Sequence, residues 1–217
     1  MDCCQPDLYD NQFDVEHAAE RLRDYRRNGP RGWTARLIDG LSRGGVDGLT
    51  VLDIGAGVGA VHQSLLAAGA ASATDVDASG PYLAAAREEA ERRGVADRVT
   101  YIKGDAVRVG PDVAEADLVA LDRVVCCYPD MDGLIRMAAS HTRRRLGLVF
   151  LKDSAWIRTG VRLSNRWSRF RGDPFRVYAH RTNNVLAVAR EAGLEPVDIH
   201  RGFFWQTILL ERPAATV

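Results

Sequence analysis

The stretch Leu52-Asp53-Ile54-Gly55-Ala56-Gly57-Val58-Gly59 decides the fold. The apolar run Leu49–Ile54 reads as a strand and Ala60–Ala68 as a helix, so a glycine-rich turn joins the two. Glycine lets a backbone turn tightly and approach a ligand, while the start of the helix supplies unpaired N–H groups. The same alternation continues outward from this loop. Ala71–Val76 predicts a second strand, and a helix follows from about Pro81 to Arg93, capped by Ser79 and stopped by Gly94. Further strands are predicted at Val99–Lys103, Leu118–Leu121 and Leu146–Leu151, with helices at Met131–His141 and Thr182–Glu191. Pro196–His200 and Trp205–Leu210 read as two strands with no helix between them. Such an order predicts a doubly wound α/β domain, its parallel sheet covered on both faces and an antiparallel hairpin at one edge.

Upstream, residues 1–45 read as helical, with Val15, Ala18, Leu22 and Tyr25 and then Trp33, Leu37 and Leu41 at three- and four-residue spacing. The 217 residues suit one domain with a sizeable core. Basic and acidic residues both number 29, so no global charge draws the chain to nucleic acid or to a membrane. No apolar run approaches the roughly 18–20 residues of a spanning helix, and a cytoplasmic protein is expected. The cysteines stand as adjacent pairs, Cys3-Cys4 and Cys126-Cys127, which is neither a disulfide framework nor ordinary zinc spacing. Ser154–Tyr178 breaks the alternation: five aromatic residues stand among six arginines against one acid, Asp173. Following the fifth strand, it is expected to be a substrate-side insertion.

Three acids sharpen the reading. Gly55, Gly57 and Ala60 would also satisfy a dinucleotide pattern, but Asp53 would repel a pyrophosphate and suits a ligand bearing an amino group. Asp75, near the end of the second strand, is expected to accept both ribose hydroxyls, and Asp105 to accept from an adenine amino group. As DIGAGVG, TDVD and KGDA, these residues resemble the class I S-adenosylmethionine-dependent methyltransferases. That resemblance implies a Rossmann-like seven-stranded sheet with an antiparallel last strand, N-terminal helices capping the cofactor, and S-adenosylmethionine as that cofactor. It implies that Asp53, Gly55, Ala56 and Gly57 hold the methionine part, Asp75 and Val76 the ribose, and Asp105 and Ala106 the adenine, with Asp122 also on the cofactor. Tyr9–Phe13, Leu121–Pro129 and Tyr178–Arg181 are similar to parts of the magnesium-protoporphyrin IX O-methyltransferases, which typically carry a catalytic histidine where this chain has Cys127.

Methyl transfer from a sulfonium is an in-line displacement that must align the acceptor and accommodate its proton. Tyr9, Cys127 and His180 are the expected catalytic residues, and Tyr128, Arg166, Trp167 and Arg169 the expected acceptor contacts. His180 has the ordinary pKa of a general base, about 6.5, although a histidine at a helix start also serves as a backbone donor. No metal site is expected. The acceptor is expected to be a small molecule methylated on oxygen. A thiol or metalloid acceptor meeting the cysteines is the alternative. A nicotinamide-dependent oxidoreductase and a non-catalytic cofactor-binding protein are the alternatives of other classes.

Overall fold

The computed structural model describes residues 10 and 12–213. Helix α1 (Val15–Asn28) begins where the Asp14 carboxylate accepts from the His17 amide at 2.8 Å, and it ends at Gly29, whose φ of 65° ordinary side chains resist. Helix α2 (Trp33–Leu41) follows. Then come β1 (Thr50–Ile54), α3 (Ala60–Ala67), β2 (Ser72–Asp77), α4 (Gly80–Arg92), β3 (Val99–Lys103), the single turn α5 (Ala106–Val109) and β4 (Ala116–Asp122). The chain continues through α6 (Met131–Ser140), β5 (Thr142–Leu151), α7 (Ala155–Phe170), α8 (Thr182–Glu191), β6 (Glu195–Arg201) and β7 (Trp205–Glu211).

The seven strands are ordered β3-β2-β1-β4-β5-β7-β6. β1 to β5 pair in parallel, and β7 runs antiparallel to both of its neighbours. The predicted hairpin is present, but its second strand, not its first, joins the body of the sheet. The burial pattern explains why: Gln206 to Leu210 are all buried along β7, whereas β6 has no buried residue. A strand buried on both faces belongs inside a sheet.

Helices cover both faces. On one, Leu134 and Ile135 of α6 and Val185 and Ala189 of α8 pack against Leu121 and Leu148. On the other, Leu37 and Leu41 of α2 and Leu65 of α3 pack against Val51 and Leu118. Helix α2 approaches β5 closely at Gly147, where a Cβ would lie 2.5 Å from a Leu37 methyl. Each such buried leucine contributes roughly 1.5–3 kcal/mol by removal from water.

Helix α1 lies over the sheet's carboxyl edge, on α4. Leu22 and Tyr25 meet Ala85 there, and the fully buried Glu89 of α4 accepts from Arg26 of α1 at 2.9 Å and from Arg92 and Arg93 at 2.6 Å. Desolvation pushes the Glu89 carboxyl up, but the hydrogen bonds from the three arginines outweigh it and hold the pKa at about 2. No helix among the described residues is long and apolar enough to cross a membrane.

Candidate active site

At the carboxyl ends of β1, β2 and β4, beneath α1, lies a cavity of about 450 Å³. The glycine loop forms its floor. Gly55 has a φ of 63°, and a Cβ there would sit 2.5 Å from a Val124 methyl, so glycine is required twice over. Gly57, with a φ of 59°, turns its amide to the Asp77 carboxylate at 2.9 Å.

Asp77 is the acid that the second strand delivers. It ends β2, lines the cavity and accepts from Gly57 and, at 2.8 Å, from Ser79. Burial pushes its pKa up to about 6 against the pull of those amides. Asp75, expected on the ribose, is elsewhere. It pairs in register between Asp53 and Tyr101 inside the sheet, is fully buried and does not line the cavity. Neither of its oxygens has a hydrogen-bond partner among the described residues, and burial, followed by the nearby Asp53 and Asp77 charges, raises its pKa well above the ordinary range. The strand extends one residue beyond the sequence reading, so the acid at its tip is two residues later.

Asp53, expected on the methionine part, also lies deep and does not line the cavity. Its carboxylate is fully buried, accepts from the His62 amide at 3.1 Å and lies 3.0 Å from His62 Nδ1, so it braces the start of α3 below the cavity. Of the other expected cofactor residues, Gly55, Ala56, Gly57, Val76, Asp105, Ala106 and Asp122 all line the cavity. Asp105 caps α5 by accepting from Val107 at 2.9 Å and Arg108 at 3.2 Å, and it also receives the Tyr128 hydroxyl at 2.8 Å. Tyr128 therefore fixes Asp105 while its ring stays buried in the wall.

Asp122 ends β4 inside a network that the sequence reading missed. Thr34 Oγ1 donates to it at 2.5 Å, and Arg123 reaches both, Nε to Asp122 at 3.1 Å and Nη2 to Thr34 at 2.6 Å. Arg123 has a φ of 65°, the one left-handed non-glycine backbone among the described residues, and it lines the cavity. Such a conformation costs roughly 1–3 kcal/mol and is found where surroundings over-determine it, often at functional sites. Nothing in the sequence announces it; Thr34 would have needed knowledge that α2 starts beside β4.

Cys127 lines the cavity from the 3₁₀ turn Val125–Cys127. The Cys126 and Cys127 sulfurs lie 3.8 Å apart, and both approach the Arg123 carbonyl. Hydrogen bonding to Cys127, with burial, pushes the Cys126 thiol far up, and the same contact draws Cys127 below its ordinary value. His180 is not on the cavity wall. Its Nε2 donates to the Tyr128 carbonyl at 2.8 Å, its ring stacks on Tyr178, and burial lowers its pKa. The Tyr178 amide in turn donates to the Cys126 carbonyl at 2.7 Å. Residues 178–180 thus position the turn that carries Cys127.

Arg166, Trp167 and Arg169 do not line the cavity either; they are exposed on α7. Tyr9 and the Cys3-Cys4 pair lie outside the described residues. Among the described residues no three His, Cys, Asp or Glu side chains gather as a metal site. Phe13, from the Tyr9–Phe13 segment, also lines the wall, with Arg21 and Tyr82, which the sequence did not single out.

Comparison with known proteins agrees with this architecture. Residues 51–145 match the family model described as a methyltransferase domain. The ribosomal protein L11 methyltransferase of Enterobacter sp. (strain 638) is 37% identical over 83 residues, 38% of this chain and 26% of that protein. The matched stretch thus spans about a quarter of that relative. Among solved structures, magnesium protoporphyrin IX methyltransferase from Synechocystis PCC 6803, with bound SAH, superposes with a TM-score of 0.70 at 19% identity, over 96% of this chain and 99% of that one. An O-methyltransferase family protein from Burkholderia thailandensis gives 0.67 at 18% identity, over 94% of this chain and 62% of that one. At these identities the structural likeness establishes the fold. Residues 51–145 thus match a methyltransferase domain, set in a seven-stranded sheet with the Rossmann-like fold of those solved methyltransferases.

Proposed function

We propose that the cavity binds S-adenosylmethionine and that the chain transfers its methyl group to an oxygen of a small-molecule acceptor. The observation that carries this reading is Asp77, a buried carboxylate at the tip of β2, fastened to the glycine loop through Gly57 and sharing one cavity with Asp105. Asp77, Asp105 and Asp122 around a glycine loop disfavour a pyrophosphate and suit a nucleoside carrying an amino group and a sulfonium. When bound, the sulfonium supplies an electrophilic methyl group.

In this reading Asp77 accepts the ribose hydroxyls, the role expected of Asp75. Asp105 and Ala106 border the adenine. Asp122, held by Thr34 and Arg123, takes the amino group in place of the buried Asp53. Cys127 and Arg123 border the acceptor. His180 is a positioning residue that holds the Cys127 turn. The thiol pair favours one second reading, a thiophilic acceptor, because a lowered pKa at Cys127 raises the fraction of thiolate facing the cavity.

Calorimetric titration tests the binding step: one equivalent of S-adenosylmethionine or S-adenosylhomocysteine is expected per chain, with no heat from NAD. Preference for NAD would establish the oxidoreductase reading instead. Cofactor binding without turnover across oxygen, sulfur and arsenite acceptors would favour the non-catalytic one.

A further inference from the structure

Helix α7 is amphipathic in an unusual sense, because its apolar stripe faces solvent. With about 3.6 residues per turn, positions 156, 160, 163, 167 and 170 fall on one line. Trp156, Leu163, Trp167 and Phe170 are 46%, 63%, 62% and 83% exposed. The opposite side is what holds the helix down: Ile157 is its one buried residue, and Asn165 exchanges two hydrogen bonds with the backbone of Val177. Trp156 packs against Phe203 and Phe204 of the β6–β7 turn, tilted on the first at 4.8 Å and edge-to-face with the second at 5.0 Å, and these two are themselves 71% and 51% exposed. Six of the eight large apolar side chains exposed among the described residues therefore form one continuous strip. Scattered apolar residues on a surface are ordinary; a contiguous aromatic strip is not.

Charge tells what covers it. Arg162, Arg166 and Arg169 are exposed along one flank of the stripe, and α7 contains no acid. Across residues 154–178 six arginines face one aspartate, although the whole chain is balanced at 29 and 29. A second copy packed antiparallel on this strip about a two-fold axis would set arginine rows side by side with no α7 carboxylate between them. An apolar interior bordered by phosphates has no such conflict: tryptophan and phenylalanine enter the interfacial layer while arginines reach the anionic headgroups. The strip also lies at the carboxyl edge of the sheet, since Leu151 at the end of β5 pairs with Trp205 and the Lys152 amide donates to the Phe204 carbonyl at 2.8 Å. That is the edge bearing the cavity.

We propose that α7 and the Phe203-Phe204 turn form a docking surface for an anionic lipid bilayer, on which the helix lies parallel to the interface. This inference is independent of the reaction catalysed.

Co-sedimentation of the full chain with vesicles of phosphatidylcholine alone, and of phosphatidylcholine mixed with phosphatidylglycerol, tests it. Binding to the anionic vesicles is expected to be at least about tenfold tighter, and to weaken with salt. The double variant Trp167→Ser/Phe170→Ser is expected to lose at least about tenfold in partition to either vesicle. Arg162→Glu/Arg166→Glu should abolish the preference for anionic lipid. Thermal unfolding of each variant separates loss of docking from loss of fold, and Leu163→Ser offers a milder second probe at an exposed site. The proposal is overturned by absence of binding to both vesicles, or by binding that all the variants retain. It is equally overturned if sedimentation velocity shows a dimer that Trp167→Ser/Phe170→Ser dissolves, or if single-stranded RNA binds more tightly than the anionic vesicles.

Discussion

The two halves of the cavity are built differently. Around β1 and β2 the carboxylate at the cavity is pinned by backbone amides: Asp77 holds Gly57 and Ser79, while α4 is clasped to α1 by Glu89 and three arginines. Around β4 and β5 the wall is made of side chains that hold one another. Arg123 sits in a costly backbone conformation on Asp122 and Thr34, the two thiols share one carbonyl, and α7 keeps one buried residue. Backbone-anchored polar groups are hard to vary without losing the fold, whereas a wall of mutually supporting side chains can be re-cut by a few substitutions. The first half is suited to a constant ligand and the second to a particular one.

The largest effect expected is on the clasp over the first half. Glu89→Gln should destabilise the protein by roughly 2–4 kcal/mol in chemical denaturation, since three arginines would lose their shared charge. Because the Glu89 pKa is lowered from 4.5 to about 2, its contribution is present in full above pH 4.5 and is lost as pH falls towards 2. A variant and wild type that differ equally at pH 7 and pH 2 would show that the clasp is not electrostatic.

Next in size is Asp77→Ala, which should weaken S-adenosylhomocysteine by roughly 1.5–3 kcal/mol in calorimetry. With a raised pKa of about 6, the carboxylate is progressively protonated below that pH, so wild-type affinity should decline from pH 7 to pH 5 and the variant should lose that slope. Unchanged affinity in the variant would erase the proposed difference between the halves.

Much of this was legible beforehand. Strand and helix order follow from periodicity, and Asp105 and the glycine loop lie where their spacing placed them. What the sequence could not resolve was depth. Alternation along TDVD puts Asp75 and Asp77 on one face, and only the register of β2 against β1 tells which reaches the edge. Helix α7 shows the opposite failure: its amphipathic period is plain, but a period does not say which side meets the protein. His180 and Arg123 depend on loop contacts across the chain, with their partners Tyr128 and Thr34 far away in sequence.

A smaller effect is expected at Arg123→Gly, where release of the left-handed strain offsets the lost contacts. Stability should move by less than about 1 kcal/mol while the acceptor KM rises, because a side chain proposed to border the acceptor is gone and Asp122 keeps only Thr34 among the described residues. A loss of several kcal/mol instead would mean that the second half is as rigidly built as the first. Smallest of all is Asp75→Asn, expected to alter S-adenosylhomocysteine affinity less than about twofold, since the side chain is buried off the cavity wall and is replaced by one of similar size. A tenfold loss in titration would return the ribose to Asp75.

The placement of β7 bears on how the molecule is made. Sheet growth at β5 has to wait for Trp205–Glu211, the last strand in chain order, and β6 has no seat until β7 has taken its own. A chain leaving the ribosome therefore carries an open edge along Thr142–Leu151 through the synthesis of two helices and a strand. For that interval the Leu146–Phe150 run offers itself to any extended neighbour, which makes this step one exposed to misassembly.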